Sequence, residues 1–191
     1  MLQLTDSDKQ RLLELARGAV EEAVLRGKIS AVVETAEALQ APCGAFVTLL
    51  RGERLRGCIG HVVTTRPLYL TVRECALAAA LEDPRFDPVT AAELPGLELE
   101  ISILSPLEDI APSEVEAGRH GLLISRGVRR GLLLPQVAVE CKWNREEFLE
   151  ATCLKAGLPV DAWREGARIQ AFTAQVLKED AGRARARRPA A

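Results

Sequence analysis

The sequence runs to 191 residues with 25 basic and 27 acidic side chains, a net charge of −2, and 48% hydrophobic residues. That balance belongs to an ordinary globular chain, which at this length buries roughly 70% of its unfolded surface and needs no disulfide staples. The near-neutral charge and the 4% aromatic content argue against nucleic acid as a partner, because such binders carry a strong basic excess or stacking platforms. No apolar run approaches the ~20 residues of a bilayer span, so no membrane role is expected. Met1-Leu2-Gln3-Leu4-Thr5-Asp6 lacks the basic start and apolar stretch of an export signal, which predicts a cytoplasmic protein. The five cysteines, Cys43, Cys58, Cys75, Cys141 and Cys153, are odd in number and form no Cys-x-x-Cys pair. They read as free thiols in a reducing compartment.

Taken in chain order, the first element is a helix capped by Thr5 and Asp8, with Leu12, Leu13, Ala16, Ala19, Val20, Ala23 and Val24 at helical spacing and Gly27 as its stop. Ala45 to Leu50 reads as a buried strand, residues 51–54 as a polar turn, and Leu55 to Gly60 as the returning strand of a hairpin. A regular two-residue period puts Arg56, Cys58 and Gly60 on one face and Leu55, Gly57 and Ile59 on the other, setting a guanidinium beside a thiol. The two glycines warn of a bulge or a close backbone approach. Pro67 opens a second helix to about Leu81, and Asp83-Pro84-Arg85-Phe86-Asp87-Pro88 is irregular because both prolines restrict their neighbours. Leu97 to Leu104 alternates as a strand whose polar side faces water or a cleft.

Gly121 to Ser125 and Gly131 to Leu134 form a second hairpin about residues 126–130. Asn144 with Glu147 caps a third helix that Gly157 and Pro159 end, and Arg168 to Leu177 is a last strand. Residues 180–191 hold too few large apolar side chains to pack and read as a disordered basic tail. Hairpins mixed with helices, without a regular βαβ alternation, predict an α+β fold with largely antiparallel sheets and flanking helices. One domain over residues 1–178 is expected.

Leu55-Arg56-Gly57-Cys58-Ile59-Gly60 is preceded by Gly44-Ala45-Phe46-Val47-Thr48 and followed by Asp83-Pro84-Arg85-Phe86, Glu100-Ile101-Ser102-Ile103-Leu104-Ser105-Pro106 and Arg119-His120-Gly121-Leu122. Leu134-Pro135-Gln136-Val137-Ala138, Phe148-Leu149 and Lys155-Ala156-Gly157-Leu158 complete the series. In order and spacing these blocks resemble the AMMECR domain family, whose bacterial and archaeal members are called AmmeMemoRadiSam system protein A, with LRGCIG as the signature run. The resemblance implies two unequal, intertwined lobes around a cleft near that run. It also implies two partners, a Memo-like protein and a radical S-adenosylmethionine enzyme, but names neither an agreed reaction nor a cofactor. His61 stands where the eukaryotic members commonly carry a small polar residue, so any role for it is this sequence's own.

Three candidate catalytic residues follow. Cys58 is a nucleophile if a nearby cation such as Arg56 lowers its pKa, and His61 or His120 would serve as base. Otherwise Cys58, Gly57 and Gly60 simply serve tight packing. Candidate substrate contacts are Arg56, Gly57, Gly60, Asp83, Arg85 and Gln136. Asp83 or Asp87 pairing with Arg85 merely to hold the loop is the competing reading for that segment, and Gln136 either reads a polar ligand group or satisfies a turn. Cys58-x-x-His61 has a ligand-like spacing, but with two histidines in the chain no metal site is assigned. Arg126, Arg129 and Arg130 form a basic hairpin tip that is a solvated turn unless it engages RNA phosphate. The leading expectation is an enzyme or enzyme component acting on a small substrate near Cys58, ahead of a non-catalytic scaffold for the two partners and an RNA-associated protein.

Overall fold

The structure, a computed structural model, describes residues 2–179, and the expected tail lies outside the described residues. In chain order the first elements are α1 (Asp6–Arg26), α2 (Glu37–Gln40), β1 (Ala45–Arg51), β2 (Arg54–His61), α3 (Leu68–Leu81), β3 (Leu97–Leu104) and β4 (Glu108–Asp109). They are followed by β5 (Gly121–Arg126), β6 (Arg129–Leu133), α4 (Pro135–Glu140), α5 (Arg145–Lys155), β7 (Arg168–Phe172) and β8 (Ala174–Lys178). The fold is α+β, as the mixture of hairpins and helices predicts, with two four-stranded antiparallel sheets. The chain divides into two compact units, residues 2–103 with 175–179 and residues 104–174.

The first unit carries the sheet ordered β2-β1-β3-β8. Ala45, Val47 and Leu49 of β1 stand opposite Ile103, Ile101 and Leu99 of β3, and all six are buried on one face. Helix α3 covers that face with Val72, Cys75, Ala76 and Ala79, and α1 packs on α3 with Leu12, Ala16 and Val20. The helical period of α1 puts these residues on one stripe, and the reciprocal bonds of Thr5 and Asp8 satisfy its first amides. Gly27, at φ 60, closes α1 in the left-handed conformation that a side chain disfavours. The end of the described residues is tied back here. Arg17 of α1 is buried, pairs with Glu179 beyond β8, and donates through Nη2 to Leu97 O at 2.7 Å.

The second unit carries the sheet ordered β4-β7-β5-β6. Leu122, Ile124, Ile169 and Ala171 of this sheet meet Phe148, Leu149 and Cys153 of α5 in a separate apolar core. Asn144 caps α5 by accepting from the amides of Glu146 and Glu147, while the Glu147 carboxylate accepts from Asn144 N at 2.8 Å. Gly157 adopts the left-handed φ of 69 just after the helix.

Four expectations are revised. The last strand is not continuous: β7 and β8 belong to different sheets, and the chain changes sheet at Thr173. There Ser105 N donates to Thr173 O at 2.8 Å and Thr173 N donates to Ser105 Oγ at 2.9 Å, so the break is hydrogen-bonded although no Gly or Pro marks it. Pro67 precedes α3 as its cap residue, at φ −49 and ψ 141, rather than starting the helix. Pro135 and Gln136 open the short helix α4 instead of a turn. The polar face of β3 is also more enclosed than alternation implies: Ser102 is buried, and Glu100 pairs with Lys178 at 2.9 Å.

Candidate functional site

β2 is the edge strand of its sheet, so one side of its backbone meets no other strand. At Cys58 that side is occupied by two side chains. Cys58 N donates to Asp83 Oδ2 at 2.8 Å, and Arg85 Nη2 donates to Cys58 O at 3.1 Å. The ion pair thus offers one acceptor and one donor where a neighbouring strand would offer its carbonyl and amide. With both its backbone groups turned outward, Cys58 faces Thr48 of β1 in a pair without backbone bonds between them, the kind whose side chains approach most closely. Thr48 Oγ1 accordingly donates to Cys58 Sγ at 3.2 Å. The thiol is half-buried on the sheet face away from α3.

The clamp is itself rigid. Asp83, with its side chain 1% exposed, accepts from Arg85 Nε at 2.9 Å, Arg85 Nη2 at 2.7 Å and Arg85 N at 3.1 Å. These bonds, Arg85's foremost and then those of the Cys58 and Arg85 amides, hold the Asp83 carboxyl well below the usual carboxylate range against the opposing effect of burial. Arg85 is raised in turn, chiefly by Asp83, with a smaller electrostatic contribution from Cys58. Pro84 and Pro88 stiffen the loop that presents the pair.

A guanidinium does serve Cys58, but it is Arg85's rather than Arg56's. The register runs Leu49 to Gly57 and then Leu50 to Leu55, so Arg56 is a bulge residue with no partner on β1. A bulge re-aims its side chain, and Arg56 reaches Glu93 instead, with Nε to Oε1 at 2.7 Å and Nη2 to Oε2 at 3.2 Å. Glu93 also accepts from Thr90 N and Oγ1, and these bonds, Arg56's first, lower its pKa to about 2. The same slip moves Leu55 to the Cys58 face, opposite Leu50. Both guanidiniums border Phe86, the carbon of Arg56 at 6.0 Å and that of Arg85 at 5.5 Å from the ring centre. Arg56, Pro84, Arg85, Phe86 and Asp87 line an open pocket of about 460 Å³, and Cys58 is not in its lining.

The two glycines serve packing. A Cβ on Gly57 would run into the carbonyl of Ala79 in α3, and a Cβ on Gly60 would enter the ring of Phe46. His61 does not join Cys58: three residues along a strand is an odd spacing, so His61 lies on the opposite face, opposite Ala45 and 3.8 Å from Glu74 of α3. His120 and Gln136 belong to the second unit. His120 Nδ1 accepts from Glu116 N at 3.1 Å, which leaves the ring proton to Nε2. Gln136 is half-buried at the start of α4. The basic hairpin tip is partly used by the fold, since Arg126 Nη2 donates to Ala162 O and Glu165 O, and Arg129 Nη1 to Gly157 O. Among the described residues no three His, Cys, Asp or Glu side chains converge as metal ligands. None of the five cysteines is joined in a disulfide, and burial pushes the Cys75 thiol up to about 12.

Sequence reasoning missed Thr48 and Glu93 as members of this constellation. Thr48 follows from the hairpin only when the bulge is placed correctly, since an unbroken register would slide it by one residue. Nothing in the local pattern around Glu93 links it to Arg56, which lies 37 positions earlier.

An α+β chain whose edge strand carries Leu55-Arg56-Gly57-Cys58-Ile59-Gly60 beside an Asp83–Arg85 clamp is of the class that the sequence blocks indicate. The AMMECR1 family model matches residues 13–177, and the chain belongs to that family. It is 41% identical to a protein of Thermococcus gammatolerans, over 98% of each chain, and 39% identical to one of Pyrococcus abyssi, again over 98% of each. The crystal structure of an uncharacterized Pyrococcus horikoshii protein is similar at a TM-score of 0.83 and 40% identity, covering 93% of this chain and 94% of that one. No helix among the described residues is long and apolar enough to cross a membrane.

Proposed function

We propose that this AMMECR-family chain is an enzyme, or an enzyme component, that acts on a small substrate beside the LRGCIG strand, with Cys58 as nucleophile or substrate contact. One observation carries the reading. Arg85 belongs to two structures at once, lining the pocket with Arg56, Phe86 and Asp87 and holding the carbonyl of Cys58. A ligand that engages its guanidinium therefore acts on the strand that bears the thiol. The Thr48 hydroxyl donates to Sγ and the Arg85 guanidinium holds the carbonyl of the same residue, so two polar groups fix the residue that would attack. With Arg56 committed to Glu93 and His61 on the far face, the activating groups in this reading are Thr48 and Arg85.

Five cysteines without a disulfide among them support a reducing, cytoplasmic setting. We read residues 1–178 as one domain that works with a Memo-like protein and a radical S-adenosylmethionine enzyme. In the second reading this is its whole function, a scaffold without chemistry of its own. The absence of Cys58 from the pocket lining favours that version. Alkylation of each cysteine in the native protein, mapped by mass spectrometry from pH 5 to 10, separates the two. Preferential reaction at Cys58 supports the enzyme, and protection of Cys58 until unfolding supports the scaffold.

A further inference from the structure

The hairpin of β5 and β6 is stapled down in a way that buries almost nothing at its tip. Arg126 Nη2 donates to Ala162 O at 2.9 Å and to Glu165 O at 3.0 Å, and Arg129 Nη1 donates to Gly157 O at 2.9 Å. Further along β6, a Cβ on Gly131 would run into Ala156 N beside the end of α5. Val128 falls between Arg126 and Arg129, and Val160 between their anchors Gly157 and Ala162, so the two valines border one small surface. Leu154 joins them through Gly157, whose amide donates to Leu154 O at 2.9 Å. All three side chains meet water, Val128 at 99%, Leu154 at 61% and Val160 at 46% exposed. The carbonyls hold the arginines, but the apolar side chain that this holds out in solvent adds nothing to the core. Such a fixed apolar surface suits a partner, because groups already ordered in the free protein need no further ordering on binding.

The charge on this surface decides what it fits. Arg85, Arg56 and Arg168 are each matched by a carboxylate, those of Asp83, Glu93 and Asp109. Arg126 and Arg129 are held by carbonyl oxygens instead, which anchor a guanidinium without cancelling its charge, and the Glu165 carboxylate stands 3.9 Å from Arg126. Residues 126–130 and 154–165 carry five basic side chains against two acidic ones, and one of the five, Arg164, is paired with Glu146. The surface thus keeps a surplus of two positive charges in a chain whose net charge is −2. Aliphatic side chains among unmatched guanidiniums fit a protein surface that sets carboxylates around an apolar patch. The phosphates of RNA would use the charges and leave Val128, Leu154 and Val160 in water.

We infer that the β5–β6 tip, together with residues 154–165, is a docking surface for an acidic, apolar segment of another protein. It belongs to the second unit and does not rest on any role for Cys58. The test is a titration of the full chain with an amphipathic helical peptide of leucine and glutamate, followed through the backbone amide resonances of residues 126–130 and 154–165. The same peptide with lysine in place of glutamate, a single-stranded RNA oligonucleotide and phosphatidylserine vesicles are compared at constant ionic strength. Saturable shifts confined to these residues are expected with the glutamate peptide and none with the lysine peptide. Val128→Ser, at a position wholly in solvent, should leave the thermal midpoint unchanged and weaken the glutamate peptide ~5-fold, through the loss of an apolar contact. Arg130→Glu should weaken it ~10-fold by reversing a charge. No saturable shift with the glutamate peptide, shifts centred elsewhere in the chain, equal affinity in Val128→Ser, or tighter binding of the RNA or the vesicles than of the peptide would overturn the inference.

Discussion

At the residue scale, Asp83 is the position on which most depends. It accepts from the Cys58 amide and from three nitrogens of Arg85, and it is nearly inaccessible to solvent. Asp83→Asn keeps the size but loses the charge and one acceptor, leaving Arg85 half exposed and able to turn to water. The expected loss is about 1.5–3 kcal/mol by urea unfolding, the range for hydrogen bonds to charged groups. The variant should also change the alkylation rate of Cys58 more than those of Cys43 and Cys141, because only Cys58 hangs from the clamp. Of this site, the thiol and the 83–87 loop were legible because their residue types carry chemistry. The choice of guanidinium was not, because a single bulge at Arg56 exchanged one arginine for the other.

At the element scale, β2 is held from both sides. α3 presses its backbone at Ala79 against Gly57, and the ring of Phe46 covers Gly60. Gly57→Val forces the strand off the helix and should lower the unfolding midpoint, at an expected cost of about 1–3 kcal/mol or more for overpacking. In the second unit, Phe148→Ala empties a fully buried position under β5 and should cost about 3–5 kcal/mol. Denaturant curves for both variants check these values. Helices α1 and α5 were legible almost to the residue, since capping side chains and left-handed glycines mark their ends locally. Thr173 was not, because no Gly or Pro interrupts residues 168–177 there, while the hydrogen bonds that mark the break come from Ser105.

At the scale of the whole molecule, acid is the informative variable. Asp83 and Glu93 both have carboxyls depressed in the folded chain, Glu93 from its ordinary 4.5 to about 2. Groups shifted in this direction contribute stability that is complete above their unfolded pKa and is lost as pH falls through the folded one. Stability should therefore be level above about pH 5 and decline below it, with the Glu93 share disappearing between about 4.5 and about 2. Thermal midpoints measured from pH 7 down to 2 should show this, and Glu93→Gln should flatten part of the decline. The α+β class and the antiparallel sheets were legible from element order. The membership of β8 in the first sheet was not, since that pairing joins the end of the described chain to β3 and follows from topology rather than from any local signal.

The central claim is that Cys58 is an accessible thiol activated by Thr48 and Arg85. Its most direct test is the alkylation rate of every cysteine in the native protein between pH 5 and 10, repeated in Thr48→Val and Arg85→Gln. The account predicts that Cys58 reacts faster than the other four and that each substitution slows it. A Cys58 that stays protected until the chain unfolds, or that reacts at the same rate in both variants as in the parent chain, would contradict it.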